Sequence, residues 1–123
     1  VKLGQVMVFA KDMKKMRAFY GDALGLTPVE ESQDDWVRFD AGGTSFALHA
    51  LPAAAAKKIS ITEPPRRRAD TAIKYTFHVA DVAAARERLL QKGGHMFDLK
   101  HFGDRTLCDG MDPEGNVFQI ANG

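Results

Sequence analysis

The sequence predicts an α+β fold built from two tandem βαβββ modules. Three observations carry that prediction. The order strand, helix, glycine stop occurs twice along the chain. Asp12 and Asp81, which open the two helices, are 69 positions apart, and so are the exit glycines Gly25 and Gly94. After each helix come three short strand-like runs separated by turn residues, so the two halves form an internal repeat. At 123 residues the chain has the length of one domain, read as spanning residues 1–123, with module one at 1–50, a connection at 51–70 and module two at 71–123.

Each element has a local reason. Gln5 to Ala10 (QVMVFA) is strand-like, and Asp12 follows as a side chain able to cap a helix. Met13, Met16, Phe19, Tyr20 and Ala23 then recur at helical spacing, opposite Lys14, Lys15, Arg17 and Asp22. Gly25 stands where a left-handed stop is wanted. The strand-like runs Thr27–Ser32, Trp36–Asp40 and Thr44–Ala50 complete the first half. In the second half, Ile73–Val79 is the first strand and Asp81 the cap. Val82, Ala85 and Leu89 form the apolar stripe, and Gly93 and Gly94 the stop. Met96–Lys100, Arg105–Asp109 and Asn116–Ala121 follow as strands. Gly43 and Gly115 precede the last strands at a spacing of 72, so the second half carries about three extra residues. The connection holds prolines, an alanine run and the basic cluster Arg66–Arg68, with one short helical turn expected at Ala53–Ala56.

Composition narrows the function classes. Hydrophobic residues make up 45% and charged residues 27%, an ordinary globular balance that excludes a fibrous or wholly disordered chain. With 17 Lys and Arg against 16 Asp and Glu, the net charge of +1 gives no general electrostatic case for nucleic acid or membrane as partner. One cysteine, Cys108, excludes a disulfide framework and fits a reducing, cytoplasmic setting. It is expected to be a small buried hydrophobe. Val1 in place of Met points to a trimmed or omitted N-terminus.

Two segments carry a resemblance. AKDMKKMRAFYGDALGL at residues 10–26 is similar to the first helix of the vicinal oxygen chelate superfamily, and DPEGNVFQI at residues 112–120 to its closing hairpin. This superfamily contains glyoxalase I, extradiol dioxygenases, fosfomycin-resistance enzymes and bleomycin-resistance proteins. The resemblance implies curved mixed sheets that close into a cup-shaped incomplete barrel. It also implies a homodimer whose modules complete each other's cups. In catalytic relatives four side chains inside the cup hold a divalent metal, and the matching positions here are Gln5, Ala47, Lys74 and Gln119. Alanine has no donor, a lysine ammonium repels a dication, and neutral amides are poor ligands, so the set does not suit the family's metal.

Strand alternation names the other residues expected to face the cup. Val6 and Val8 take the helix-packed face, leaving Gln5, Met7 and Phe9 inside. Tyr75 and Phe77 pack outward, leaving Lys74, Thr76 and His78. Phe46, Leu48, Phe118 and Ile120 pack outward, leaving Ala47, His49, Val117 and Gln119. Trp36 and Phe9 are either stacking walls for a flat ligand or filling for a narrow cup. Arg38 and Arg105 either grip an anionic group or tie strands through an Arg–Asp pair. Lys74 is either a counter-charge for substrate or the partner of Asp109.

The expected function is a metal-independent small-molecule-binding protein of the bleomycin-resistance type, with no cofactor and with the enzyme question open but leaning to no. Lys74, Arg38 and Arg105 against Asp109 favour an anionic or aromatic ligand. The alternative is a metal-dependent lyase or dioxygenase with displaced ligands His49, His78 and Asp109. A third reading is an orphaned fold kept for protein contacts.

Overall fold

The computed structural model describes residues 1–123. The chain divides into two compact units, 1–60 and 61–123, so the connection is shared between them. No helix is long and apolar enough to cross a membrane.

The first unit contains β1 (Gln5–Ala10), α1 (Met13–Arg17), a π-helical segment (Ala18–Ala23), β2 (Thr27–Ser32), β3 (Trp36–Asp40), β4 (Ser45–Ala50) and the short α2 (Ala53–Ala56). Its sheet order is β1-β4-β3-β2, with β1 and β4 parallel and the other pairs antiparallel. The second unit contains β5 (Tyr75–His78), α3 (Val82–Gln91), β6 (His95–Phe102), β7 (Arg105–Met111) and β8 (Val117–Ala121). Its order, β5-β8-β7-β6, repeats the first, so each unit is an open mixed sheet of four strands with the βαβββ connectivity expected from the repeat.

Both caps form as expected. The Asp12 carboxylate accepts from the Lys15 amide and the Asp81 carboxylate from the Ala84 amide, each at 3.0 Å. The exits differ in a way that the gap-free spacing does not anticipate. The left-handed residue is Gly25 (φ 98°) in the first unit but Gly93 (φ 83°) in the second. The Gly93 amide donates to Leu90 and the Gly94 amide to Leu89, a Schellman close. The first helix therefore has one residue more between cap and stop. It absorbs that residue by widening into π turns, in which the Leu24 amide reaches the Phe19 carbonyl. β5 is also shorter than the expected 73–79 run, which leaves Lys74 just ahead of the strand.

Alternation places the core as expected. In the first unit Phe46 and Leu48 are buried, and the Tyr20 ring packs on Phe46 at 4.6 Å between centroids. In the second, Phe118 and Ile120 are buried and Phe77 lies on Phe118 at 6.3 Å. The outer pairs β2/β3 and β6/β7 each carry a bulge, at Pro28–Glu30 and Met96–Leu99. The second bulge turns the Phe97 carbonyl out of the ladder. It accepts instead from Arg86 Nε of α3 at 2.8 Å and from the Cys108 thiol at 3.3 Å.

The DPEGN segment closes the last hairpin around a carboxylate with no solvent exposure, Asp112. It accepts from the Glu114 and Asn116 amides at 2.9 and 3.0 Å and from Asn116 Nδ2 at 2.8 Å. Gly115 follows at φ 86°, and its carbonyl accepts the Arg68 amide at 2.9 Å. A Cβ there would lie 2.0 Å from the Arg66 carbonyl oxygen, so backbone would have to move. Gly115→Ala is expected to cost roughly 3 kcal/mol or more, above the usual range for left-handed strain alone, as read from urea unfolding. Gly42→Ala, at a left-handed position in open space, is expected to cost clearly less.

Candidate functional site

The face opposite each helix-packed core collects the candidate residues in cross-strand rows. In the first unit, Phe9, His49 and Trp36 are register neighbours on β1, β4 and β3. Their ring centroids are 5.8 Å apart for Phe9–His49 and 5.7 Å for His49–Trp36, a continuous aromatic row. Phe9 remains 50% exposed and Met7 42%, so the row is an open wall rather than filled core. The next row is Met7, Ala47 and Arg38, continued by Glu30 on β2.

Glu30 was not among the residues the sequence singled out. Its carboxylate accepts from Trp36 Nε1 at 2.7 Å and lies 3.8 Å from Arg38 Nη2. Arg38 Nη1 also donates to Ser45 Oγ at 3.3 Å. Arg38 thus meets a glutamate and a serine on its flanking strands, rather than an aspartate. The tight turn at residues 33–35, with Gln33 left-handed, sets this register, which runs unbroken from Ser32–Trp36 through Glu31–Val37 to Glu30–Arg38. His49 Nε2 lies 4.0 Å from Asp35 Oδ1. Gln5 is exposed at the start of β1.

In the second unit the row equivalent to Met7, Ala47 and Arg38 is Thr76, Gln119 and Asp109. The apolar pair of one module is replaced by a polar chain in the other. The Thr76 hydroxyl donates to Gln119 Oε1 at 3.1 Å, and Gln119 Nε2 donates to Asp109 Oδ1 at 3.0 Å. Lys74 Nζ completes the chain on Asp109 Oδ2 at 3.0 Å, which is the pairing that alternation suggested. Its side chain is 44% exposed, so Lys74 sits at the rim of the face rather than on a buried floor. Gln119, only 8% exposed, has both ends of its amide engaged. The Asp109 charge fixes the amide orientation, because a flipped amide would aim its oxygen at a carboxylate. His78 is exposed at the end of β5, and Arg105 is exposed at the first position of β7, four residues before Asp109.

These contacts test the metal implied by the resemblance. Ala47 offers no donor, Lys74 is a cation, and Gln119 directs its amide protons at Asp109 while its oxygen accepts a hydroxyl. The ligand positions do not fit a divalent ion. The displaced set fares no better: Asp109 is taken by Lys74 and Gln119, and neither unit assembles three His, Cys, Asp or Glu side chains at metal-binding spacing.

Cys108 faces the opposite side from Asp109, has no exposure, and burial pushes its thiol pKa up, with the Arg86 charge opposing. It is a packing residue, as expected. At pH 8 the native protein is expected to leave Cys108 unmodified by a thiol-specific disulfide reagent, with one equivalent reacting once urea unfolds the chain. Fast labelling of the native protein would contradict that burial. Asp109→Asn is expected to destabilise by roughly 1 to 3 kcal/mol, since it weakens two charge-assisted hydrogen bonds at once. Urea unfolding near pH 7 measures the loss.

The family model of the glyoxalase-like domain matches residues 5–121. No curated protein matches the sequence. Among solved structures, the chain is similar to a lactoylglutathione lyase from Agrobacterium tumefaciens, at a TM-score of 0.72 and 20% identity over 99% of this chain and 93% of that one. A glyoxalase-related enzyme from Fulvimarina pelagi aligns with a TM-score of 0.75 and 19% identity, covering 99% of this chain and 88% of that one. A protein of unknown function from Agrobacterium tumefaciens reaches a TM-score of 0.75 and 23% identity over 100% and 94%.

Proposed function

The chain belongs to the glyoxalase-like domain family, and from that premise we propose that it is a metal-independent small-molecule-binding protein that holds an anionic or aromatic ligand. One observation carries the reading: the chain Thr76, Gln119, Asp109, Lys74 occupies the second module's ligand positions with hydrogen bonds of its own. A fold shared with lyases does not confer their chemistry when the donor atoms differ. Ligand preference follows from what the exposed faces offer. Within the first unit the Phe9, His49 and Trp36 row suits a flat ring, with Arg38 as a cationic neighbour, and within the second unit Lys74 supplies a cation of its own.

Metal analysis of untagged protein, purified without chelators, is expected to find no stoichiometric Zn, Ni, Mn or Fe. A near-stoichiometric metal overturns the proposal. Gln119→Glu, which places the family's carboxylate at this position, is expected not to create a tight Zn²⁺ or Ni²⁺ site by calorimetry. The new carboxylate would stand beside Asp109, while Ala47 and the Lys74 ammonium remain. The same reading includes a homodimer, since β2 and β6 end their sheets with unpaired edges that need covering. Light scattering at micromolar concentration is expected to return a dimer mass, and a monomer mass counts against it.

A further inference from the structure

The second unit contains a cavity of about 210 Å³ beside the start of β5. Its cationic lining comes from Arg67, Arg68 and Lys74, and its apolar lining includes Ile73 and Val117. Two of the cations come from the connection, whose basic cluster the sequence offers as a solvated loop, with closure over an anionic ligand as the alternative. That segment is built rather than loose. The Arg68 amide is bound to the Gly115 carbonyl at 2.9 Å. The Thr71 hydroxyl lies 3.4 Å from the Arg68 carbonyl and 3.3 Å from that of Ile73. The Arg67 guanidinium sits 4.7 Å over the Phe97 ring. Neither Arg67 nor Arg68 has a carboxylate partner, in contrast to Lys74, whose charge is shared with Asp109.

We propose that this cavity binds the phosphate group of a small phosphate monoester whose short apolar body lies against Ile73 and Val117. The inference rests on the binding-protein reading above and names its ligand class. Charge decides between oxyanions. The three lining cations less the Asp109 carboxylate leave about +2, which a phosphate monoester of roughly −1.5 to −2 at pH 7 neutralises. A carboxylate leaves about half of it uncompensated. Guanidinium groups also match phosphate oxygens in paired, planar hydrogen bonds. Size limits the body: about 210 Å³ is below the usual range for drug-sized ligands, so a single ring or short chain fits and a dinucleotide does not.

The test is calorimetry at low ionic strength in EDTA, with phenyl phosphate, inorganic phosphate, benzoate and benzyl alcohol as probes. Phenyl phosphate is expected to bind tightest, inorganic phosphate and benzoate more weakly, and benzyl alcohol not measurably. Arg67→Gln and Arg68→Gln, each checked for an unchanged thermal midpoint, are expected to weaken phenyl phosphate by roughly tenfold to a hundredfold. Arg68→Lys is expected to recover part of the loss. Raising salt should weaken the phosphate probes and spare any neutral binding. Absence of phenyl phosphate binding, benzoate binding as tightly, or indifference to both arginine substitutions overturns the proposal. If it fails while metal analysis stays clean, the metal-independent reading stands without this ligand class. A stoichiometric metal removes that reading even where phenyl phosphate binds.

Discussion

A carboxylate buried without exposure must find its hydrogen bonds inside the protein, and the closing turn of the second unit is arranged around Asp112 for that reason. Its oxygens draw in the amides of Glu114 and Asn116 and the Asn116 side chain, which folds DPEGN into a tight turn. The turn sets Gly115 in a left-handed conformation, and the absence of a Cβ lets the Arg66–Arg68 backbone lie against it. That contact anchors the connection and brings Arg67 and Arg68 to the start of β5. A turn motif and a basic cluster, unrelated in sequence, become one piece of structure.

The repeat shows the division of labour between two faces of a sheet. The helix-packed faces of both modules keep the same character, Phe46 and Leu48 in one and Phe118 and Ile120 in the other, because close packing constrains volume and polarity. The opposite faces carry no such constraint and have diverged. Where the first module sets Met7, Ala47 and Arg38, the second sets Thr76, Gln119 and Asp109. The first face is an aromatic wall edged by an Arg–Glu contact, and the second is a polar chain ending in a lysine. Neither arrangement supplies anionic or imidazole donors at the positions where metal-dependent relatives hold their ion.

Several features were legible because they depend on residues close in sequence. The Asp12 and Asp81 caps, the stop at Gly25, the helical turn at Ala53–Ala56 and the strand faces follow from capping chemistry and from period-two or helical spacing. The Lys74–Asp109 pair was also within reach, since alternation put both on the same face. Other features depend on how strands slide past one another. Glu30 reaches Trp36 and Arg38 through the cross-strand register that the 33–35 turn sets between β2 and β3. Arg86 and Cys108 share the Phe97 carbonyl because the bulge at Met96–Leu99 frees it. The extra residue of the first helix is invisible in a 69-residue spacing that holds at both ends, because π turns take it up before Gly25.

By itself the sequence determined the α+β class, the two βαβββ modules and which residues face away from each core. Period, capping and turn chemistry are local, and they act before any strand finds its partner. Beyond the Lys74–Asp109 pair, tertiary structure alone decided how the residues of those opposite faces link up. Cross-strand register made Gln119 the link between Thr76 and Asp109, and the Gly115 contact carried Arg67 and Arg68 to a cavity with Lys74. Such contacts join residues tens of positions apart, and their geometry is set by ladder hydrogen bonds and bulges that no local pattern encodes.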